Sequence, residues 1–305
     1  MTAATLNQKF EQVVQKIAPQ SKLLRAWELK GGVSAQVTAL EIEQPDHQTK
    51  RMIVRQHGAV DLKNNSDIAA DEFKLLRILQ SAGLPTPAPY YLDQSSDIFP
   101  APYIVIEYIE GASEFALTPE GIQQLATHLA RIHALDCAKL DLAFLPKQAQ
   151  RCARKISERP TNLDESLDEG RIRNVLESVW PLSQHNPLVV LHGDFWPGNI
   201  LWKDGRIAAV IDWEDAALGD PLADVANTRL EILWAFGIDA MDSFTQHYQS
   251  MARFDVTNLP IWDLFAALRP ASKLSEWAAD KIAEQRMRER HRLFVTQAFE
   301  KLSAS

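Results

Sequence analysis

The chain lacks covalent reinforcement, and it carries no sequence mark of export or membrane insertion. Its 305 residues include two cysteines, Cys137 and Cys152. They have neither the spacing of a metal-binding pair nor the density of a disulfide framework. Both are expected to be reduced thiols, and the cytoplasm is the expected compartment. Met1 to Phe10 has no basic start and no apolar stretch of the kind a signal peptide needs. No apolar run approaches the ~18 residues of a membrane span, so no membrane partner is expected. Positive charge is also short: 32 Lys and Arg face 40 Asp and Glu, a net charge of −8. That balance argues against nucleic acid as the main partner. Internal repeats and low-complexity tracts are missing too. What remains is ordinary for a globular protein, with 46% hydrophobic and 24% charged residues. The length suits one large or two modest domains, enough to bury roughly 75% of the surface an unfolded chain exposes.

The most informative stretch is Leu191-His192-Gly193-Asp194-Phe195-Trp196-Pro197-Gly198-Asn199-Ile200, followed by Ile207 to Asp212. The apolar run Leu188 to Leu191 reads as a buried strand. It enters a polar loop with Asp194 and, further on, Asn199. A second strand begins at Ile200, turns at Lys203-Asp204-Gly205 and returns to Asp212; Asp-Gly between apolar runs is a strong hairpin signal. One carboxylate therefore sits on a loop, an amide where the next strand starts, and a second carboxylate at the far end of the hairpin. Hard cations such as magnesium take oxygen ligands from one or two carboxylates together with phosphates. The plain alternative for any one such pair is an Asx-turn.

Taken whole, the string H-G-D-x-x-x-x-N followed by I-D-W resembles the catalytic and metal-binding segments of the aminoglycoside phosphotransferase and choline kinase-like family, distant relatives of protein kinases. The resemblance implies an α+β, bilobal, protein-kinase-like fold. Residues 1–106 would form a small antiparallel-sheet lobe with one packed helix, and residues 107–305 a larger, mainly helical lobe, with a hinge at about 104–111. A nucleotide is expected in the cleft between them. The implied reaction moves the γ-phosphoryl of ATP, with GTP as the alternative, to a hydroxyl of a small molecule. Asp194 is then the catalytic base, and Asn199 and Asp212 are the magnesium ligands.

The earlier part of the chain follows the same pattern. Leu23 to Leu29 and Gln36 to Ile42 read as strands joined by Gly31-Gly32-Val33-Ser34, where backbone N–H groups and the Ser34 hydroxyl can approach phosphates. The strand Arg51 to Arg55 aligns with the V-A-I-K strand of kinases, with arginine in place of lysine. Period-two alternation puts Ile53 and Arg55 on one face, toward adenine and phosphates respectively; the alternative is a solvent-facing strand arginine. A helix beginning near Ser66 or Asp67 carries Glu72, expected to hold Arg55 or to be an acid favoured near a helix N-terminus. Asp71 takes the pairing role if the register shifts by one. The strand Tyr103 to Ile109 resembles the kinase hinge, with backbone groups of Glu107 and Ile109 reading adenine.

From Thr118 the chain turns helical, with Thr118 as cap, Pro119 at the first helical position, and Ile122, Leu125, Leu129 and Ile132 as the apolar stripe. His133 beside that stripe is expected to be a packed, hydrogen-bonded histidine. Asp220-Pro221 reads as another helix start. Only eight positions separate Asp212 from Asp220, too few for the phosphorylatable segment that orders peptide substrates in protein kinases. A small-molecule acceptor is therefore expected, and Glu214 and Asp215 are expected either to meet a cationic acceptor or to serve as turn residues. The alternatives are a nucleotide-binding regulator without transfer activity and, further off, a protein kinase.

Overall fold

Alternation of apolar and polar residues along two long strands builds the first part of the chain around one antiparallel sheet. In a computed structural model that describes residues 3–29, 35–113 and 118–303, the chain divides into two compact units. The first comprises Met1–Gly111 and Ala208–Glu214, the second Ala112–Ile207 and Asp215–Ser305. The segment that ends in Asp212 and Glu214 therefore belongs with the first unit, whereas the sequence alone assigned it to the second.

The first unit opens with helix α1 (Ala3–Ile17) and strands β1 (Lys22–Glu28), β2 (Ala35–Glu43) and β3 (Thr49–His57). Helices α2 (Ala59–Asn64) and α3 (Ile68–Ser81) follow, then strands β4 (Pro89–Asp93) and β5 (Tyr103–Glu107). The sheet runs β1-β2-β3-β5-β4, antiparallel throughout. Its two faces have different tasks, because successive side chains on a strand point to opposite sides. Leu40, Ile42, Met52, Val54, Tyr103 and Val105 form a core with Phe10, Val13 and Val14 of α1. Each of those three helix side chains contributes about 1.5–3 kcal/mol by burial, so α1 is a structural layer, where the sequence reading expected one packed helix. On β3 the alternate residues Ile53, Arg55 and His57 occupy the other face, and α3 packs against β3, β4 and β5. The turn at 30–34, with Ser34, lies outside the described residues.

The second unit contains α4 (Pro119–His133), α5 (Gln148–Ser157), α6 (Glu169–Val179), strands β6 (Val189–Leu191) and β7 (Ile200–Lys203), and the start of β8 (Arg206–Val210). Strand β9 (Ala217–Gly219) and helices α7 (Leu222–Phe236), α8 (Ile238–Met251), α9 (Leu259–Ala267), α10 (Leu274–Trp277) and α11 (Lys281–Ser303) complete it. Thr118 Oγ1 accepts the Gly121 N–H at 3.0 Å, which caps α4 as its sequence signature implies. The buried stripe Ile122, Leu125, Leu129 and Ile132 sets α4 against α8. Helix α7 packs on α8, α9 and α11. Its first turn is held by Asp220, whose Oδ1 accepts the Leu222 N–H at 2.9 Å. Strands β6 and β9 pair antiparallel, Leu191 opposite Ala217, so the residues just before Asp194 are anchored by a strand too short to be read from sequence. The β7–β8 turn puts Asp204 and Gly205 at φ 50° and 72°, the mirror-image geometry for which Asp-Gly is suited. Among the described residues no helix is long and apolar enough to cross a membrane.

Candidate active site

In the first unit the chemistry gathers around Arg55. Its neighbours across the sheet are Val37 and Ile104, and it is 7% exposed. Burial of an arginine requires partners for its fork of donors. Nε donates to Glu72 Oε2 at 3.1 Å, and Nη2 donates to Asp212 Oδ1 at 2.5 Å and Glu214 Oε2 at 2.6 Å. Glu72 is therefore the α3 acid facing Arg55. Asp71 instead accepts from Asn65 Nδ2 at 2.8 Å, one position round the helix. Glu214, expected either to meet a cationic acceptor or to serve as a turn residue, is bound by Arg55. The rest of the cluster is His57, two residues along the same strand face, with Nε2 3.0 Å from Glu72 and Nδ1 3.8 Å from Glu214.

These groups tune one another. Burial works to lower the Arg55 pKa, but the fields of Glu72, Asp212 and Glu214 outweigh it and hold the guanidinium charged. Burial likewise opposes charge on His57, yet Glu214 and Glu72 raise its pKa to about 9. Burial pushes the Asp212 carboxyl up despite Arg55, with Glu214 and Glu72 adding repulsion. Asp212 also has φ 67°, a left-handed conformation that aspartate tolerates better than most residues. Its carboxylate is thus fixed by backbone shape as well as by charge. Ile53 lies half-buried on the Arg55 face. Glu107 donates its N–H to the Ala88 carbonyl at 2.8 Å and accepts the Ala88 N–H on Oε2 at 3.1 Å. Its N–H is therefore spent, and a base could meet only its carbonyl. Ile109 follows the end of β5, half-buried.

In the second unit the chemistry gathers around Asp194. Asn199 Nδ2 donates to the Asp194 backbone carbonyl and to Oδ2, both at 3.0 Å. The amide nitrogen is therefore engaged and the carbonyl oxygen is the atom of Asn199 suited to a cation. Arg269 Nη2 donates to Asp194 Oδ1 at 2.6 Å, so each carboxylate oxygen has a fixed partner. The loop itself hangs from Asp224 on α7. This buried carboxylate accepts the His192 N–H at 2.7 Å and the Gly193 N–H at 2.9 Å. His133 Nε2 lies 3.3 Å away, with its Nδ1 2.6 Å from the Tyr248 hydroxyl. Burial would raise the Asp224 pKa, but His133 and the backbone donors outweigh it and keep the group ionised. Gly193 has φ +83°, and a Cβ there would lie 2.2 Å from the Asp215 carbonyl oxygen. Only glycine fits that bend.

Beside this loop, wholly within the second unit, lies a cavity of about 270 Å³ lined by residues of α5, α7 and α9 and by Arg269 and Asp215. Asp215 is the only one of the two acids expected at an acceptor that lines it. Several residues that matter here were not singled out from the sequence. Period two would have found His57 from Arg55, and a helix-start aspartate is a fair lead to Asp224. Nothing in the local sequence marks Arg269.

A profile of the phosphotransferase enzyme family APH matches residues 27–268. The chain belongs to this family. Viomycin phosphotransferase of Streptomyces vinaceus is 30% identical over 161 residues, 47% of this chain and 55% of that protein. Acyl-CoA dehydrogenase family member 11 of Rattus norvegicus is 27% identical over 227 residues, 65% of this chain. The chain covers 29% of that relative's length. Among solved structures, the GDP complex of an aminoglycoside 2′-phosphotransferase-IIIa mutant matches with a TM-score of 0.65 at 18% identity, over 98% of this chain and 96% of that one. Identity that low speaks for the fold alone, which is the kinase-like arrangement of an antiparallel sheet followed by a helical part.

Oxygen donors of the kind magnesium takes are present in each unit. That ion asks of a protein one or two carboxylates, with phosphates and water supplying the rest. Asp212 of the first unit and Asn199 of the second each carry such an oxygen. A cluster of three ligating side chains is not required, and none is found among the described residues.

Proposed function

We propose that this chain transfers the γ-phosphoryl group of ATP or GTP to a hydroxyl group of a small molecule, with magnesium. The observation that carries the reading is the fixation of Asp194, whose two carboxylate oxygens are held by Asn199 and Arg269 on a loop anchored by Asp224. A base so restrained suits a reaction that depends on positioning and electrostatics. Asp194 takes the acceptor's proton. Arg55, steadied by Glu72, engages the nucleotide phosphates, and Ser34, Ile53, Glu107 and Ile109 are the proposed further nucleotide contacts. Asn199 and Asp212 would hold magnesium through oxygen ligands, and the ion would supply positive charge against the phosphates.

The short stretch between Asp212 and α7 supports a small acceptor over a peptide. GDP in the aminoglycoside 2′-phosphotransferase-IIIa complex and the name of viomycin phosphotransferase support the nucleotide and the small-molecule acceptor in the same way. The test is slow magnesium-dependent nucleotide hydrolysis by the purified chain, compared with Asp194→Asn and Asp212→Ala. Asp194→Asn is expected to lower turnover by about 10² to 10⁴ with nucleotide affinity kept, and Asp212→Ala to remove the magnesium dependence of nucleotide binding by calorimetry. Unchanged turnover in Asp194→Asn would remove that residue from the mechanism.

A further inference from the structure

The cavity beside the Asp194 loop has unusual chemistry for a site that would receive a cationic acceptor. Three cations line it: Arg151 and Lys155 of α5, and Arg269 just beyond α9. Arg151 Nη1 donates to the Asp215 backbone carbonyl at 2.6 Å, and burial lowers its pKa although the Asp215 charge opposes this. Among the described residues no carboxylate stands within ion-pair distance of the Lys155 ammonium. Burial, helped by the nearby guanidinium of Arg269, depresses its pKa to about 8.

Arg269 gives one nitrogen to Asp194, while its Nη1 is buried without a hydrogen-bond partner among the described residues. Asn227 of α7 is 4% exposed and lines the same cavity, and neither its amide oxygen nor its amide nitrogen has a partner among the described residues. An unsatisfied buried polar group costs about 1–3 kcal/mol, so grouping such atoms around one hollow is expensive unless a ligand completes them.

The acids nearby offset part of this charge, Asp194 by its ion pair with Arg269. Asp224 is committed to the His192 and Gly193 amides, and the Asp194 carboxylate to Asn199 and Arg269. Asp215 is exposed. Glu231, close to Arg269, has its pKa raised to about 7 by burial. What the hollow leaves unmet is therefore mostly hydrogen-bond donors with positive charge. Trp262 and Phe265 supply an apolar wall. At about 270 Å³ the volume falls just below the ~300–1,000 Å³ of drug-sized sites, which suits a molecule of a few carbons.

We propose that the acceptor is a small hydroxy acid, whose carboxylate is bound by Lys155, Arg151 and Asn227 while its hydroxyl meets Asp194. This deepens, and rests on, the phosphotransfer reading above. In the step, the acceptor hydroxyl oxygen forms a bond to the γ-phosphorus. The bond from that phosphorus to the β–γ bridging oxygen breaks, and its electron pair leaves with the nucleoside diphosphate. The hydroxyl proton passes to the Asp194 carboxylate. The products are a phosphate monoester that keeps its carboxylate and a nucleoside diphosphate. Charge also reverses the expectation drawn from the acidic sequence, because Glu214 faces Arg55 and not this cavity.

The test uses the full chain with magnesium and ATP, and three matched acceptor series of two to six carbons: ω-hydroxycarboxylates, their uncharged amides, and the corresponding amino alcohols. Phosphate-ester formation is followed by phosphorus NMR and kinetics by diphosphate release. The acids are expected to have kcat/KM at least tenfold above their amides and above the amino alcohols. Lys155→Met should raise KM for the acids ten- to a hundredfold with kcat nearly kept, as expected for a charged hydrogen bond made equally in ground and transition states. Lys155→Arg should recover part of the loss. Amides or amino alcohols equal to the acids, no transfer to any acid, or a KM for the acids unmoved by Lys155→Met would each overturn the proposal. Magnesium-dependent ATP hydrolysis separates its failure from failure of the phosphotransfer reading: hydrolysis retained with acids rejected sinks only the acceptor class, whereas no hydrolysis and no nucleotide binding sink both.

Discussion

Replacing Asp224 with asparagine tests how the Asp194 loop is held. The carboxylate accepts from the His192 N–H on Oδ2 and the Gly193 N–H on Oδ1, with His133 Nε2 3.3 Å from Oδ2. Asparagine keeps the shape but offers one accepting oxygen, and its amide N–H₂ must face one of the two backbone donors. The change forfeits one charge-assisted hydrogen bond, about 1.5–3 kcal/mol, and leaves one buried N–H unmet, about 1–3 kcal/mol. A destabilisation of roughly 3–5 kcal/mol follows, a large share of the ~5–15 kcal/mol that a folded protein has. At about 2–4 °C per kcal/mol for a large domain, Tm falls by roughly 6–20 °C. Turnover should also drop about a hundredfold, because a small displacement of a positioned base is costly. The assays are a thermal melt, nucleotide hydrolysis, and hydrogen exchange at the His192 and Gly193 amides, which should lose protection before the helices do. A Tm within about 2 °C of the parent, with protection retained at those amides, would refute the anchoring role of Asp224.

Two further outcomes follow from the same structure. Gly193→Ala forces a Cβ to 2.2 Å from the Asp215 carbonyl at φ +83°, so a loss of at least about 2 kcal/mol and of most activity is expected; a melt and a hydrolysis assay check it. His57 has its pKa raised to about 9 from ~6.5 in an unfolded chain. Its stabilising contribution is therefore complete below about pH 6.5 and is lost as pH rises through about 9. Thermal melts from pH 6 to 10 should show a decline that His57→Gln abolishes, and parallel curves for parent and variant would contradict it.

Much of the fold is local and was therefore legible. Thr118-Pro119 caps a helix by a bond to a residue three positions on, and Asp204-Gly205 turns a hairpin by backbone angles that those residues favour. The period-two pattern of β3 sorts Met52 and Val54 to the core and Ile53 and Arg55 to the opposite face. A motif such as H-G-D-x-x-x-x-N is legible for the same reason, since Asp194 and Asn199 meet through the short loop that joins them.

Partners brought from distant sequence depend on how helices pack, and no local pattern encodes that. Arg269 reaches Asp194 because α7 and α9 pack together, and Lys155 of α5 and Asn227 of α7, far apart in sequence, line one hollow. Glu214, an acid that composition would offer to a cationic ligand, is bound by Arg55 because a buried guanidinium must fill its donors from whatever carboxylates the fold supplies. Residue types and their spacing thus determined the kinase-like class and the proposed catalytic trio. Tertiary packing alone decided which charges are already paired and which remain for a substrate, because burial makes every unpaired polar atom costly.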